Sequence, residues 1–412
     1  MQRVKFIRET VSQLLGAAWV AVLLFLVLCF TAWRPLAPGT FAALALAGLL
    51  IAWVFERPRL RLVLQGQRLL LGSAVLTVLA ICADGWALGL LHPERASLAL
   101  PAQLGLLLCI APIAVLLSDP RRMRATVAVF AALAVVHIAV LPMESITGQP
   151  FFTWGEDLYP RQSGPLAFQA RGLAWQVVYF PGLLMSTFYL AAGLLGEERP
   201  GGWTFGPRSW LAASLVWAAA LACLQSRSAL AGALAASALG LFAFARARSA
   251  HVWLALAAVV AGGAALFWFL FSENKSGGGL RAAYVALYFR RALDPEWVWT
   301  GRGYTIDADP DMQVPGQQYL VHSHNDFAQV FFTWGLPALL AYLCFWAALV
   351  RMAWRSWRAG RYWPTLALVA CAPSFLTDLG LHHLQKAAFL AVLAGMAAAR
   401  AAGEPVPAPL RP

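Results

Sequence analysis

Long apolar runs repeat along this chain of 412 residues, and they constrain its fold more than any other feature. An α-helix needs about 20 consecutive apolar residues to cross the hydrocarbon core of a bilayer. Runs of roughly this length occur at 13–33, 36–54, 69–91, 98–118, 123–141, 172–196, 209–224, 226–245, 251–272, 325–350, 363–379 and 384–400. We therefore predict an all-α integral membrane protein with about 12 transmembrane helices, forming a single polytopic membrane domain over 1–412.

Composition and charge support this class. The chain is 60% hydrophobic and 12% charged, whereas soluble proteins contain about 25% charged residues. The net charge of +12 could indicate a nucleic-acid partner. However, with the N-terminus in the cytoplasm, the inside segments hold 20 of the 31 Lys and Arg residues, as the positive-inside rule predicts. We therefore predict cytoplasmic N- and C-termini and no nucleic-acid binding.

Two long connections fall on the outer side, at 142–171 and 272–325. Long loops carry function more often than short ones. The second loop contains a predicted amphipathic helix at 280–291. Arg281 shares a stripe of this helix with Tyr284 and Tyr288 and leans toward the protein. Arg290 is nine positions further on and falls on the opposite face, so it is expected to face water or lipid headgroups. These patterns predict an active site on the outer side, built partly from short helices of the second loop.

Glycines flank this predicted helix on both sides. The stretch 276–279 is predicted to be a flexible entry to the helix. The stretch 301–303, Gly-Arg-Gly, is predicted to be a turn whose backbone a ligand can approach closely.

The end of the second loop reads His322-Ser323-His324-Asn325-Asp326 and leads into an apolar run. Three interpretations remain open: a metal site, structural residues that begin a helix, and a catalytic base. Asn325 and Asp326 suit a helix start. On a helix the two imidazoles would point about 200° apart, which disfavours a shared metal. We favour a catalytic base, with His324 taking the proton of a hydroxyl group.

Four arginines could bind an anion: Arg227, Arg281, Arg161 and Arg171. Arg227 either extends to the membrane interface or faces a cavity. Asp378 either orients a base or is a carboxylate at a helix end. Asp84 lies within a span, where packing or a polar contact between helices is the default expectation. Arginines beside an outer cavity suit a phosphate-bearing lipid, and no carboxylate cluster typical of a divalent metal is present in the sequence.

The order Arg281, then Gly301-Arg302-Gly303, then His324-Asn325-Asp326, resembles the O-antigen ligase and polymerase superfamily of bacterial inner membranes. Length and span number look most like the lipopolysaccharide O-antigen ligases. The resemblance covers roughly 224–340. It implies a C-type glycosyltransferase-like fold, and transfer of a polysaccharide from undecaprenyl diphosphate to a sugar hydroxyl of lipid A-core on the periplasmic face.

The resemblance also implies roles for individual residues. Arg227 and Arg281 would bind the diphosphate, and His324 would deprotonate the acceptor. The reaction would be inverting and would need neither metal nor cofactor. Arg161, Arg171 and Asp378 correspond to residues of the family by their position along the chain and not by a motif. His322 adds a second candidate base.

Three other functions remain as alternatives: an O-antigen polymerase, a protein O-oligosaccharyltransferase, and a transporter of lipid-linked glycans. A transporter would be expected to carry charges near the midplane and related repeats, whereas here the charges lie mainly in loops on one side and no internal repeat is found.

Overall fold

The computed structural model describes residues 2–25, 40–91, 104–147, 227–245, 277–303, 323, 325–359, 361–376 and 384–402. All regular secondary structure in these residues is α-helical, which confirms the predicted all-α class for this part of the chain. The helices are α1 (Gln2–Phe25), α2 (Thr40–Phe55), α3 (Arg57–Gly66), α4 (Arg68–Leu91), α5 (Leu104–Leu116), α6 (Pro120–Thr147), α7 (Arg227–Ala245), α8 (Gly277–Ala292), α9 (Asp326–Arg358), α10 (Trp363–Leu376) and α11 (Leu384–Ala402).

Two of the described helices, α4 and α9, are long and apolar enough to cross a bilayer, and α2 with α3 would make a third if that bent pair were one span. In α4, Leu79 and Trp86 are exposed although Ile81 and Leu88 between and beyond them are buried. A helix that is apolar on its exposed side as well as its buried side suits lipid rather than water. The described part is thus a helical protein with helices able to span a membrane, and the number of 12 stays a prediction.

The chain divides into two compact units. The first comprises Met1–Arg124, Leu280–Ala359 and Asp378–Pro412, and the second comprises Ala125–Gly279 and Gly360–Thr377. Within the first unit, α4 packs against α9, and α5 packs against α2 and α11. Within the second unit, α7 packs against α10. The single membrane domain expected from the sequence remains a prediction.

A polar cluster joins α1 to α3 and to the turn between α5 and α6. We call it the Arg122 cluster, and its members are Ser12, Gln13, Glu56, Arg59, Asp119 and Arg122. Arg122 is 5% exposed and pairs with Glu56 at 2.7 Å. Glu56 also pairs with Arg59 at 2.8 Å. Burying a charge is unfavourable unless the charge is paired. The pairs within the cluster therefore fix the position of α3 relative to α1 and α5.

Asp119 is the acid of this cluster whose protonation is shifted. Burial alone would raise its pKa, but hydrogen bonds from the Gln13 side chain and from the backbone N–H groups of Arg122 and Arg121 outweigh burial. The positive charge of Arg122 acts in the same direction. The pKa of Asp119 therefore lies below its usual value, and the carboxylate form is favoured.

Candidate functional site

The longest described helix, α9, is broken at Gly335 and folds back on itself. Gly335 has φ 82° and ψ −178°, a conformation essentially restricted to glycine. Asp326 accepts a hydrogen bond from the hydroxyl of Tyr342, although the two are 16 residues apart. In a straight helix they would be separated by about 24 Å. Residues 326–334 and 336–358 are therefore two arms of a hairpin, which we call the first arm and the second arm.

This hairpin corrects the prediction of one continuous span over 325–350. The second arm alone is still about 34 Å long at the rise of an α-helix. It can therefore cross a bilayer without the first arm, whose residues are free to serve another purpose.

Aromatic side chains fill the contact between the two arms. The ring of Phe327 lies 5.5 Å from that of Tyr342 and 6.1 Å from that of Trp346, measured between centroids. The start of the first arm thus contacts residues well inside the second arm, so the arms run antiparallel. The polar residues that begin the first arm consequently lie beside the body of the second arm, where a buried polar group requires a partner.

The segment 297–303 docks its backbone against the break. Three backbone N–H groups donate to carbonyls across this contact: Leu336 to Val298 at 2.7 Å, Arg302 to Phe332 at 2.8 Å, and Gly303 to Thr333 at 3.0 Å. Helix ends leave carbonyl and N–H groups without intrahelical partners. The docked segment satisfies several of those groups at both ends of the break.

Gly301 and Gly303 allow this close approach. Their φ values are 67° and 79°, in the left-handed region that favours glycine. A Cβ atom on Gly301 would overlap the carbonyl oxygen of Thr333. The predicted turn is present, and the backbone that it approaches in the described structure is that of α9. The expectation of close approach to a ligand stays a prediction.

The side chain of Arg302 is buried within the same contact, with 6% of the residue exposed. Its guanidinium lies 5.4 Å from the ring centre of Trp297 and 5.8 Å from that of Phe332. It also pairs with Asp294 at 3.4 Å. Cation–π contacts and an ion pair together use this cation inside the fold, which distinguishes Arg302 from an anion-binding arginine.

Asp84 of α4 supports the other side of the break. It is 7% exposed and accepts a hydrogen bond from the backbone N–H of Ala338, near the start of the second arm. Leu336 donates to Val298, and Pro337 has no N–H to donate. Asp84 therefore acts as a cap for the second arm, although it comes from a different helix. The expected polar contact between helices is confirmed.

The residues on both sides of His324 are held by hydrogen bonds. Asn325 is the N-cap of α9, and its side chain accepts the N–H of Ala328 at 2.9 Å. Ser323 donates its N–H to the Gln329 side chain at 2.9 Å and its hydroxyl to the carbonyl of Asn325 at 2.7 Å. The predicted helix start at Asn325 is confirmed. His324 itself lies outside the described residues.

Asp326 has a structural role in the described part of the chain. It is fully buried, and Tyr342 donates its hydroxyl to it. Its position at the N-terminus of the first arm agrees with the dipole argument. The same carboxylate also joins the two arms, a contact that the sequence pattern does not reveal.

Helix α8 confirms the amphipathic helix predicted at 280–291. Tyr284 and Tyr288 are buried and Arg290 is exposed, as the stripe predicted. Tyr288 packs 4.6 Å from Phe332 of the first arm. The helix begins at Gly277, so the prediction of a flexible entry at 276–279 is wrong for its last three residues. Arg281 lies on this helix, in the first unit.

Arg227 is the first residue of α7, in the second unit. The predicted run at 226–245 thus matches a described helix. Of the other candidates, Arg161, Arg171, His322, His324 and Asp378 lie outside the described residues, so their proposed roles stay predictions.

Among the described residues, no group of three or more His, Cys, Asp or Glu side chains could hold a metal ion. The described hydrogen bonds of Ser323, Asn325 and Asp326 instead go to backbone atoms and to the side chains of Gln329 and Tyr342. No protein-family model matches the chain, and no curated protein matches it either.

The partners of two buried carboxylates near the break escape sequence reasoning. Asp84 with Ala338 and Asp326 with Tyr342 join distant parts of the chain. The sequence does carry one usable signal, a glycine and a proline two residues apart at Gly335 and Pro337 inside an apolar run. Such a pair marks a break in a helix, and a carboxylate elsewhere in an apolar run is a natural partner for the freed N–H group.

Proposed function

We propose that the chain is a membrane glycosyltransferase of the O-antigen ligase type. It transfers a polysaccharide from undecaprenyl diphosphate to a sugar hydroxyl of lipid A-core on the periplasmic face of the bacterial inner membrane. The observation that carries the proposal is the motif around His324. Both flanking residues, Ser323 and Asn325, are hydrogen-bonded to the first arm. A general base requires a fixed position relative to its substrate.

The proposed reaction transfers one proton and releases one leaving group. His324 takes the proton of the acceptor hydroxyl, whose oxygen forms a bond to the anomeric carbon of the donor sugar. The bond from that carbon to the diphosphate oxygen breaks, and undecaprenyl diphosphate leaves. Attack from the opposite face inverts the anomeric configuration. Arg227 and Arg281 hold the diphosphate, and charge-assisted bonds from arginine stabilise the negative charge of the leaving group.

Other residues support this step. Arg161 and Arg171 are further candidates for contact with the donor phosphates, and Asp378 is a candidate to orient the base. Two arginines neutralise much of the charge of a diphosphate, so the proposed step uses no metal ion. Asn325 and Asp326 contribute by holding the start of the first arm.

The test is transfer by the purified full chain in detergent. The donor is undecaprenyl-diphosphate-linked glycan, the acceptor is rough lipopolysaccharide, and EDTA is present throughout. We expect glycan on lipid A-core with the unchanged chain and a loss of about 10²-fold or more with His324→Ala, the usual contribution of a general base. His322→Ala is the matched control, because it removes a histidine two residues away.

Each other outcome assigns a different function. Elongated lipid-linked glycan without modified lipopolysaccharide would indicate the polymerase. Transfer to a serine or threonine of a protein acceptor would indicate the oligosaccharyltransferase. No transfer to any acceptor would contradict the enzyme proposal and favour transport. Loss of activity in His322→Ala with activity kept in His324→Ala would move the base to His322.

A further inference from the structure

Helix α3 changes direction sharply after α2. The two helix axes differ by 117° across a break at Glu56. The apolar helix α2 has the composition of a membrane helix, and if it runs near the bilayer normal, α3 runs close to the plane of the membrane. The Arg122 cluster and contacts with α2, α4, α5 and α11 hold α3 in this orientation. Helices placed in this way lie at the membrane interface.

The faces of α3 differ in chemistry. Leu60 and Val63 are buried against the protein. Arg57 and Arg61 are exposed, and because they are four residues apart they lie on the same side of the helix. Pro58 after the break also suits a helix start. The helix therefore presents two neighbouring guanidinium groups away from the protein core.

Exposed apolar side chains lie beside these arginines. Leu64, three residues after Arg61 and on the same side of the helix, is 45% exposed, and Trp53 at the end of α2 is 55% exposed. The guanidinium of Arg57 lies 6.0 Å from the ring centre of Trp53. Tryptophan beside arginine is typical of the headgroup region of a bilayer. A water-soluble partner would not favour exposed leucine and tryptophan next to the positive charge.

The charges on this surface are not balanced within α3, because its sequence contains no acid. The nearest carboxylate in sequence, Glu56, points inward and is bonded to Arg122, Arg59 and Ser12. Arg57 and Arg61 thus form a positive surface that is complementary to an anionic partner. The exposed apolar side chains beside the arginines, and the orientation of α3 in the plane of the membrane, favour a partner that carries both a negative charge and acyl chains.

We propose that Arg57 and Arg61 form a binding site for the phosphate of an anionic phospholipid, with Trp53 and Leu64 against the acyl and glycerol region. The proposal does not depend on the transferase activity. Two guanidinium groups at helical spacing of four residues can both donate to one phosphate. The site would anchor α3 and, through the Arg122 cluster, the middle of α1 and the turn between α5 and α6.

The test is native mass spectrometry of the full chain with equal amounts of phosphatidylglycerol and phosphatidylcholine. The measured quantity is the ratio of the two bound lipids. Each arginine near an anionic surface contributes about fivefold in affinity. We expect Arg57→Gln and Arg61→Gln each to lower the ratio by about fivefold, and the double variant by about 25-fold.

Arg59→Gln is the matched control. It removes the same charge from the same helix, but Arg59 is engaged by Glu56 at 2.8 Å and Asp119 at 3.5 Å. We expect the lipid ratio to stay within about twofold of the unchanged chain, below the fivefold that an exposed arginine contributes. An equal fall with Arg59→Gln would show that net charge alone decides the ratio and would overturn the site.

Two further arms complete the test. Excess inorganic phosphate should leave the bound phosphatidylglycerol in place, and displacement by phosphate would identify a site for free anions instead of lipid. Unfolding in phosphatidylcholine alone should be the same for Arg57→Gln, Arg61→Gln and the unchanged chain, since both side chains are exposed. No change of the lipid ratio in the folded double variant would refute the proposal.

Discussion

Replacing Gly335 by alanine tests whether the break in α9 is built into the fold. The φ of 82° with ψ near 180° costs a non-glycine residue about 1–3 kcal/mol. The new Cβ would also lie 2.6 Å from the carbonyl oxygen of Trp299 and 2.9 Å from the backbone nitrogen of Gly301. Backbone atoms cannot move aside as a flexible side chain can, and such overpacking costs about 1–3 kcal/mol. We therefore expect Gly335→Ala to lower the free energy of unfolding by about 2–6 kcal/mol.

Gly72→Ala is the matched control for this measurement. Gly72 lies within α4, and a Cβ atom there would meet nothing within 4 Å. Alanine is favoured over glycine inside a helix by about 0.5–1 kcal/mol, so this variant should be slightly more stable than the unchanged chain. The assay is unfolding of the purified chain in mixed micelles with increasing denaturing detergent, followed by circular dichroism. If Gly335→Ala is within about 1 kcal/mol of the unchanged chain, well under the sum of strain and overlap, the reasoning about the break is wrong.

Three further predictions concern buried polar groups. Arg122→Leu should lower the free energy of unfolding by about 3–5 kcal/mol, because Glu56 stays buried with one partner fewer. A smaller loss than that of Glu56→Gln in the same unfolding assay would contradict this. The pKa of Asp119 is lowered in the fold, so its carboxylate stabilises the folded state above the unfolded-state pKa of about 3.9. This contribution is lost as the pH falls through the lower folded-state pKa. The difference in unfolding free energy between the unchanged chain and Asp119→Asn should therefore shrink between pH 6 and pH 3, and a constant difference would disprove the assignment. Asp84→Leu leaves the N–H of Ala338 without its acceptor, whereas Asp84→Asn keeps an acceptor oxygen, so the leucine variant should be less stable than the asparagine variant by about 1–3 kcal/mol; equal unfolding midpoints would show that the cap contributes nothing.

The sequence predicts those elements whose signals are local. The amphipathic stripe of α8 follows from the spacing of Tyr284 and Tyr288, and both are buried. The start of α9 follows from Asn325, whose side chain can cap a helix wherever it occurs before an apolar run. Neither prediction needs knowledge of what the helix packs against.

The break in α9 could not be predicted from local signals, because its stability depends on partners remote in the chain. Gly335 and Pro337 are compatible with a bent but continuous span as well as with a hairpin. The hairpin is favoured only when Val298 and Asp84 supply acceptors for the freed N–H groups. A hydrophobicity profile shows only the length and composition of an apolar run. Both are nearly the same whether the run forms one span or the two arms of a hairpin.

The hydrogen bonds and ion pairs of the described residues also show which polar side chains of the candidate site are already engaged within the fold. Asn325 gives its side chain to the helix N-terminus, Asp326 joins the arms through Tyr342, and Arg302 pairs with Asp294. A buried polar group that already satisfies the fold is less available to change its protonation or its partner during a reaction. Of the described polar residues in the motif region, these three are therefore assigned to holding the first arm and the segment docked against it. A transferase reaction at this site would then depend on His324 for proton transfer and on arginines outside the break for the diphosphate, so that variants of Asn325 should act through the position of the first arm rather than through the chemical step.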